Sequence, residues 1–142
     1  MSLIKANGLK ASDGDISFPT IPAGQYTCRV TKCEDRMTKA DAKNPNCNMW
    51  NFTCRVQSED EETAKCSVFN CVLLPHPDMS PDTYQFCTNN IKHFMLACAV
   101  ECDGDEVDSS DFIGQEFLGV IIQKTYQGKE RNELSDTLPL VD

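Results

Sequence analysis

Apolar and polar positions alternate along the first half of the chain with the two-residue period of half-buried β-strands. The first such segment begins near residue 26, and its apolar face comprises Tyr26, Cys28 and Val30. The second segment alternates more sharply, and its apolar face comprises Trp50, Phe52, Cys54 and Val56. Its opposite face comprises Asn51, Thr53 and Arg55. The pattern predicts two strands, each with one face in the core.

The segments between and after these two strands do not alternate between polar and apolar residues. Residues 34–48 are mostly polar and predict a loop, and the acidic run 59–62 predicts a solvated turn. A third segment, about residues 64–74, is apolar on both faces, which predicts a strand that is covered on both sides. Pro75 and Pro77 then end this strand.

Beyond Pro81 the apolar period changes to three and four residues, which is typical of an amphipathic helix. The apolar stripe comprises Tyr84, Cys87, Ile91, Phe94, Met95 and Cys98. Ser80 as the N-cap and Pro81 at the first helical position support a helix that begins here.

The last third of the chain predicts a fourth strand over residues 116–126, a turn at 127–129 and a short fifth strand over 130–134. Gly119 indicates a bulge or a sharp bend. Three strands, one helix and two strands predict a mainly β fold, a five-stranded OB-type barrel with one α-helix between strands 3 and 4. A β-grasp fold or an open α+β sheet has similar spacing, but Gly119 and the long loops favour the barrel. We assign residues 1–20 to an N-terminal arm and residues 21–142 to the OB-type domain.

The chain has 142 residues, of which 40% are apolar, and this suffices for one folded domain. No apolar run approaches the ~18–20 residues that a membrane span needs. The N-terminal residues lack the apolar segment of a secretory signal, so we expect a cytoplasmic protein with no membrane association.

Nine cysteines are an odd number, and only Cys98 and Cys102 have the spacing of a zinc-ligand pair. We expect reduced thiols that fill the core; a metal site and disulfides are the alternatives.

Motifs that carry catalysis do not occur in the sequence: it has no phosphate-binding or dinucleotide-binding glycine loop and no zinc-hydrolase or serine-hydrolase signature. Its two histidines, His76 and His93, lie in no recognisable catalytic motif. We therefore predict a non-enzymatic binding module that uses no cofactor and no metal.

Charge is distributed unevenly along the chain. Residues 1–57 carry a net charge of +3 and residues 58–142 a net charge of −12, which gives −9 overall. The overall charge argues against nucleic-acid binding, but a binding groove needs only local positive potential, because the field decays over ~8–10 Å. The basic candidates for a groove are Arg29, Lys32, Lys39, Lys43 and Arg55, with a second group of Lys124, Lys129 and Arg131.

Proteins that bind single strands combine such a groove with aromatic platforms on which bases stack. The candidate platforms are Trp50, Phe69 and Tyr126. Trp50 shares its face with Phe52, which favours a core position and would leave the Asn51, Thr53 and Arg55 side for the bases. The sequence pattern allows either a core or a surface position for Phe69 and Tyr126.

Several stretches of the chain carry a resemblance to known proteins. They are I-P-A-G-Q-Y-T-C-R-V at 21–30, the loop with Asn44-Pro45 that leads to M-W-N-F at 49–52, F-I-G-Q-E-F at 112–117 and Y-Q-G-K-E-R-N-E at 126–133. Through them, residues 20–140 resemble a family of small bacteriophage proteins that are similar to the OB-fold single-stranded-DNA-binding proteins of phage replication modules.

The resemblance implies sequence-tolerant binding of single-stranded DNA in phage DNA replication or recombination, without an enzymatic step. Phage or host replication proteins are the further partners it implies, and a homo-oligomer is compatible with it. In such a role Arg29, Lys32, Lys39, Lys43 and Arg55 would contact phosphates, bases would stack on Trp50, Phe69 and Tyr126, and Lys124, Lys129 and Arg131 would close the groove. The resemblance itself implies only the basic loop before Asn44-Pro45 and the hairpin from Tyr126 to Asn132, and the other positions follow from strand phase. The alternative is a protein-interaction module on the same barrel, a phage accessory or structural protein.

Overall fold

The structure is a computed structural model that describes Leu3 and residues 20–42 and 46–140. The predicted N-terminal arm therefore lies almost entirely outside the described residues. The elements in chain order are β1 (Gly24–Met37), β2 (Asn48–Val56), α1 (Glu61–Ala64), β3 (Ser67–Leu73), α2 (Pro81–Cys98), a 3-10 turn (Ser109–Phe112), β4 (Glu116–Tyr126) and β5 (Lys129–Leu138). Within the part of the chain that the structure describes, no helix is long and apolar enough to cross a membrane.

The five strands form one antiparallel sheet in the order β3-β2-β1-β4-β5. The prediction of a mainly β fold with five strands and a helix between the third and fourth is confirmed. The barrel is not confirmed, because the sheet is open: in the described residues, β3 and β5 are edge strands that share no ladder of hydrogen bonds. The two edges nevertheless run side by side, with the thiol of Cys66 3.9 Å from Oδ1 of Asn132.

β1 is longer than the sequence pattern predicts, and this corrects the predicted loop over residues 34–48. The strand continues to Met37, and the turn region begins only after it. The pairing with β2 slips by one residue at Thr31, between the pairs Val30–Cys54 and Lys32–Thr53. This β-bulge resets the alternation, so the two halves of the strand do not follow one period in the sequence.

The core lies between the sheet and α2 and is built around four phenylalanines, Phe52, Phe94, Phe112 and Phe117, each at most 1% exposed. The rings of Phe94 and Phe112 are stacked with centroids 5.2 Å apart, and Phe52 lies 5.0 and 4.9 Å from them. α2 begins where predicted, because the hydroxyl of Ser80 accepts from the amide of Thr83 and Pro81 occupies the first turn.

β3 and β5 differ from their predictions. β3 alternates between buried and exposed positions and is covered on one face only, so Phe69 is 57% exposed. A short helix, α1, begins within the acidic run that predicted a turn. β5 extends to Leu138 because its pairing with β4 shifts register between Val120 and Ile121 and then continues. Gly119 lies next to this shift, where an added Cβ would come within 2.9 Å of Cys28 Sγ and of a Leu134 methyl.

The nine cysteines are all free thiols. Five of them, Cys28, Cys54, Cys66, Cys87 and Cys98, are buried and fill the core as small apolar side chains. Burial raises the pKa of Cys28 and of Cys98 to about 12. Cys71 and Cys102 are exposed, so the expectation of core positions fails for these two.

We expect the thiols to react in two classes. Because the thiolate is the reactive species, a raised pKa and burial together make the five buried thiols inert in the folded protein. At pH 8 an aromatic disulfide reagent should modify Cys102 fastest in the native state and Cys71 more slowly, because partial burial raises the pKa of the Cys71 thiol. The half-buried Cys33 and Cys47 should react later than these two, and all nine thiols should react in denaturant. Rapid native modification of Cys28 or Cys98, located by peptide mass spectrometry, would contradict the buried arrangement.

The chain enters the sheet through a side-chain clamp on Ile21. The amide of Ile21 donates to Oδ1 of Asn132 at 2.8 Å. The carbonyl of Ile21 accepts from Nδ2 of Asn132 at 2.9 Å and from Nε2 of Gln123 at 2.8 Å. The Asn132 amide thereby pairs with the Ile21 backbone as a neighbouring strand would, and Ile21 itself is 4% exposed.

Replacing Asn132 with alanine should lower the free energy of unfolding by about 1–3 kcal/mol, because the Ile21 amide loses its partner and the Ile21 carbonyl keeps only the bond from Gln123. The exposed Asn48, at the start of β2, is the matched control, and Asn48→Ala should change stability by less than about 0.5 kcal/mol. Urea unfolding followed by circular dichroism measures both. Equal effects of the two substitutions would show that the clamp is unimportant.

Candidate nucleic-acid interface

The side of β1, β2 and β3 that points away from the core, which we call the outer face, carries mostly polar side chains in rows that cross the three strands. Directly opposite residues of antiparallel strands share a face, so the register defines these rows. From one end of β2 to the other the rows are Arg29–Arg55–Ser67, Lys32–Thr53–Phe69, Glu34–Asn51–Cys71 and Arg36–Met49–Leu73.

The first row sets two arginines against each other. Arg29 and Arg55 are direct partners in the β1–β2 register. Like charges in this position destabilise a sheet. Arg29 is 3.7 Å from a carboxylate oxygen of Glu116, and Nε of Arg55 donates to the carbonyl of Ala64 at 2.8 Å. These contacts offset the repulsion only in part, and the positive charge remains on an exposed surface.

The second row places a cation and an aromatic ring on either side of a small residue. Lys32 and Phe69 are both partners of Thr53, on opposite sides of β2. At a strand spacing of ~4.8 Å, the Cα atoms of Lys32 and Phe69 lie on the order of 10 Å apart. The neighbours of Phe69 on its strand face are short, Ser67 and Cys71, and Phe69 itself is 57% exposed.

Glu34, in the third row, is the centre of an ion-pair cluster with Lys32 of the second row and Arg36 of the fourth. Oε2 of Glu34 accepts from Nε and Nη2 of Arg36 at 3.1 and 2.8 Å, and Oε1 lies 3.2 Å from Nζ of Lys32. The hydrogen bond from Arg36, followed by that from Lys32, lowers the pKa of Glu34. Beside this cluster, the thiol of Cys71 donates to Oδ1 of Asn51 at 3.0 Å.

The hairpin between β4 and β5 forms a second basic surface. Lys124 pairs with Arg131 and Tyr126 with Lys129, so the four side chains share one face of the two-stranded ribbon. Tyr126 is 61% exposed, and the guanidinium carbon of Arg131 lies 5.7 Å from the centre of its ring. Lys124 also contacts Glu133 at 3.3 Å. The turn is a tight one, with positive φ at Gln127 and Gly128.

The open edge of the sheet brings the hairpin towards the outer face. Cys66, just before β3, contacts Asn132 of β5. Ser67 follows Cys66 and is the partner of Arg55, whereas Arg131 precedes Asn132. The basic face of the hairpin therefore adjoins the Arg29–Arg55 row across the gap between the two edge strands.

The remaining predicted residues lie elsewhere. Trp50 packs against Phe52 and Phe112, with ring centroids 5.9 and 6.2 Å away, so it belongs to the edge of the core and not to the outer face. Lys39 is exposed in the turn beyond β1, past the row that contains Arg36. Lys43 lies outside the described residues.

Sequence reasoning did not include Glu34 and Arg36 in the surface, because both fell in the predicted loop. A signal was present: Lys32, Glu34 and Arg36 are charged at every second position, which is the period of one strand face. The bulge at Thr31 breaks its phase with the preceding strand and so conceals it.

Other features of the described residues add no second site of this kind. No group of three or more histidine, cysteine, aspartate or glutamate side chains in the described segments is placed to hold a metal ion. A cleft of about 250 Å³ lies between β3, α2 and β5. Across it Nε2 of His93 is 2.9 Å from Oδ1 of Asp136, and this hydrogen bond lowers the pKa of Asp136.

No protein-family model matches the chain, and no curated protein matches it.

The outer face should contribute little to stability. We expect Arg29→Thr combined with Phe69→Thr to change the free energy of unfolding by no more than about 1 kcal/mol, because both side chains are exposed and the arginine pair is repulsive. By contrast Phe52→Ala, in the core, should cost about 3–5 kcal/mol. Urea unfolding measures the free energy of unfolding of the double variant and of Phe52→Ala. A large loss from the surface pair would mean that these side chains serve the fold.

Proposed function

We propose that this protein binds single-stranded DNA without sequence preference, on the outer face of β1–β3 and the β4–β5 hairpin. The observation that carries the proposal is the first two rows of the outer face, where Arg29 opposes Arg55 and an exposed Phe69 lies across β2 from Lys32. Cations for phosphates and an open ring for bases are the two components of sequence-tolerant single-strand binding.

We further propose that the sheet is of the OB type. The strand order β3-β2-β1-β4-β5 would become a closed five-stranded barrel if β3 and β5 paired. Alternation of direction makes these two edges parallel, and the contact of Cys66 with Asn132 brings them side by side. OB folds bind oligonucleotides on the face of strands 2 and 3, flanked by the loops between strands 1 and 2 and between strands 4 and 5. In this chain the outer face with Phe69 would correspond to the face of strands 2 and 3. The turn with Lys39 would correspond to the loop between strands 1 and 2, and the β4–β5 hairpin with Tyr126 to the loop between strands 4 and 5.

The resemblance to phage proteins extends the proposal to a place in phage DNA replication or recombination. The net charge of −9 is compatible with this role because seven of the thirteen lysines and arginines lie on the outer face or on the basic face of the adjoining hairpin. The chemistry proposed is binding alone, with no bond made or broken.

A protein-interaction module is the second candidate, and one observation favours it. α2 exposes three large apolar side chains, Tyr84, Phe86 and Leu96, the last at 73%. Large apolar side chains exposed to solvent are available to a protein partner, Tyr84 and Phe86 near the start of α2 and Leu96 near its end. The salt dependence of the affinity distinguishes the two functions, because binding through phosphate contacts weakens steeply as salt rises and binding through apolar contacts does not.

The test is fluorescence anisotropy of a labelled poly-dT strand of ~30 nucleotides, at several salt concentrations, with a duplex of equal length as the control. We expect binding to the single strand that weakens as salt rises, and weaker binding to the duplex. Absence of binding at low salt would refute the proposal.

Variants with matched controls locate the surface. Phe69→Ala should weaken binding by about 1–3 kcal/mol through lost stacking. Phe86→Ala on α2 should have no such effect, although Phe86 is equally exposed, at 59% against 57%. Replacing Arg29, Lys32 and Arg55 together by alanine should reduce the slope of log K against log salt by about 2. Lys92→Ala, on α2, is the control for loss of a cation away from the surface. Equal losses from Phe69→Ala and Phe86→Ala would move the site elsewhere.

A further inference from the structure

Each cation that β1 presents on the outer face is already held by a carboxylate. Arg29 contacts Glu116 at 3.7 Å, Lys32 contacts Glu34 at 3.2 Å, and Arg36 contacts Glu34 at 2.8 Å. A DNA phosphate that approaches these side chains therefore has to compete with an anion that the protein supplies.

Glu34 is the centre of this arrangement because it holds two cations at once. Lys32, Glu34 and Arg36 occupy successive outward positions of one strand, and one carboxylate oxygen faces each cation. Lys32 and Arg36 are opposite Thr53 and Met49 of β2, which offer no charge. The hydrogen bonds from Arg36 and Lys32 also lower the pKa of Glu34, so the carboxylate is ionised at neutral pH.

We propose that Glu34 is an internal competitor for DNA phosphate: it holds Lys32 and Arg36 in the free protein, releases them to the strand on binding, and so limits the affinity. This inference rests on the proposed function. Carboxylate and phosphate oxygens accept from a guanidinium in the same geometry, so one anion can replace the other on Arg36.

The exchange is energetically feasible because the pairs are exposed. The side chains of Lys32, Glu34 and Arg36 are 61, 43 and 55% exposed. Ion pairs at such positions are weak, and solvent and salt screen them further. Since the same cluster carries a net charge of one rather than two, the carboxylate also reduces the number of phosphates that the surface neutralises.

Glu34→Gln tests the inference, because glutamine keeps the size of the side chain and removes its charge. In the poly-dT titration we expect Glu34→Gln to bind roughly three- to tenfold more tightly at low salt. The slope of log K against log salt should become steeper by about 0.7, which corresponds to one more neutralised phosphate. Glu101→Gln, in the exposed loop after α2 and in none of the rows of the outer face, removes the same charge and should leave both quantities nearly unchanged.

A second pair of variants distinguishes competition from a general charge effect. Arg36→Gln should weaken binding more in the Glu34→Gln background than in the otherwise unchanged protein, because Arg36 is fully available to phosphate only when Glu34 has lost its charge. Equal effects of Glu34→Gln and Glu101→Gln, in a protein that binds poly-dT, would overturn the role of Glu34 and leave the proposed function standing. If neither the unchanged protein nor Glu34→Gln binds, the proposed function itself fails.

Discussion

The bulge at Thr31 is the constraint on which both faces of the sheet depend. β1 is the central strand, with 14 residues that pair with β2 along most of their length and with β4 over the first part only. Without the extra residue, strict alternation would turn Lys32 towards the core and Cys33 away from it. With it, Cys33 packs against the core and Lys32 points to solvent with Arg29. A single inserted residue thus lets one strand pack Cys28, Val30 and Cys33 against the core and present Arg29, Lys32 and Arg36 on one surface.

The sequence pattern predicts most of the fold because the elements are locally regular. β2, α2 and β4 follow their expected bounds closely, since each has an unbroken period and, for α2, a capping residue at Ser80. The pattern does not predict the end of a strand where that end is determined by pairing with a neighbouring strand. The end of β1 is hidden by the bulge. The end of β5 depends on a register shift next to Gly119, and a glycine indicates an irregularity without indicating how far the partner strand continues. For the candidate site, the sequence identifies Arg29, Lys32 and Arg55, but strand register is needed to show that Arg29 faces Arg55 and that Phe69 lies beyond Thr53.

Stability and the candidate surface make opposite demands on the same strands. A sheet gains from opposite charges or β-branched side chains in facing positions, and it loses from facing arginines. The protein keeps its stabilising contacts on the inner side, where four phenyl rings pack together, and accepts repulsion outside. The carboxylates of Glu34 and Glu116 moderate that repulsion. The result is a face with a small net positive charge on a chain whose total charge is strongly negative.

Side-chain hydrogen bonds, and not backbone pairing, connect the two edges of the open sheet. Asn132, within the Tyr126–Glu133 hairpin stretch, makes these bonds and therefore has a structural role. Arg131 and Asn132 are neighbours in β5 and so point to opposite faces. Arg131 lies over Tyr126 on the basic side, whereas Asn132 holds both backbone groups of Ile21 and contacts Cys66. The Asn132 amide thus ties the entry of the chain, the hairpin and the start of β3 together at the point where β3 and β5 come side by side. A strand that tracked from the hairpin to the Arg29–Arg55 row would cross this junction, so the rigidity of the clamp would set the relative position of the two basic surfaces.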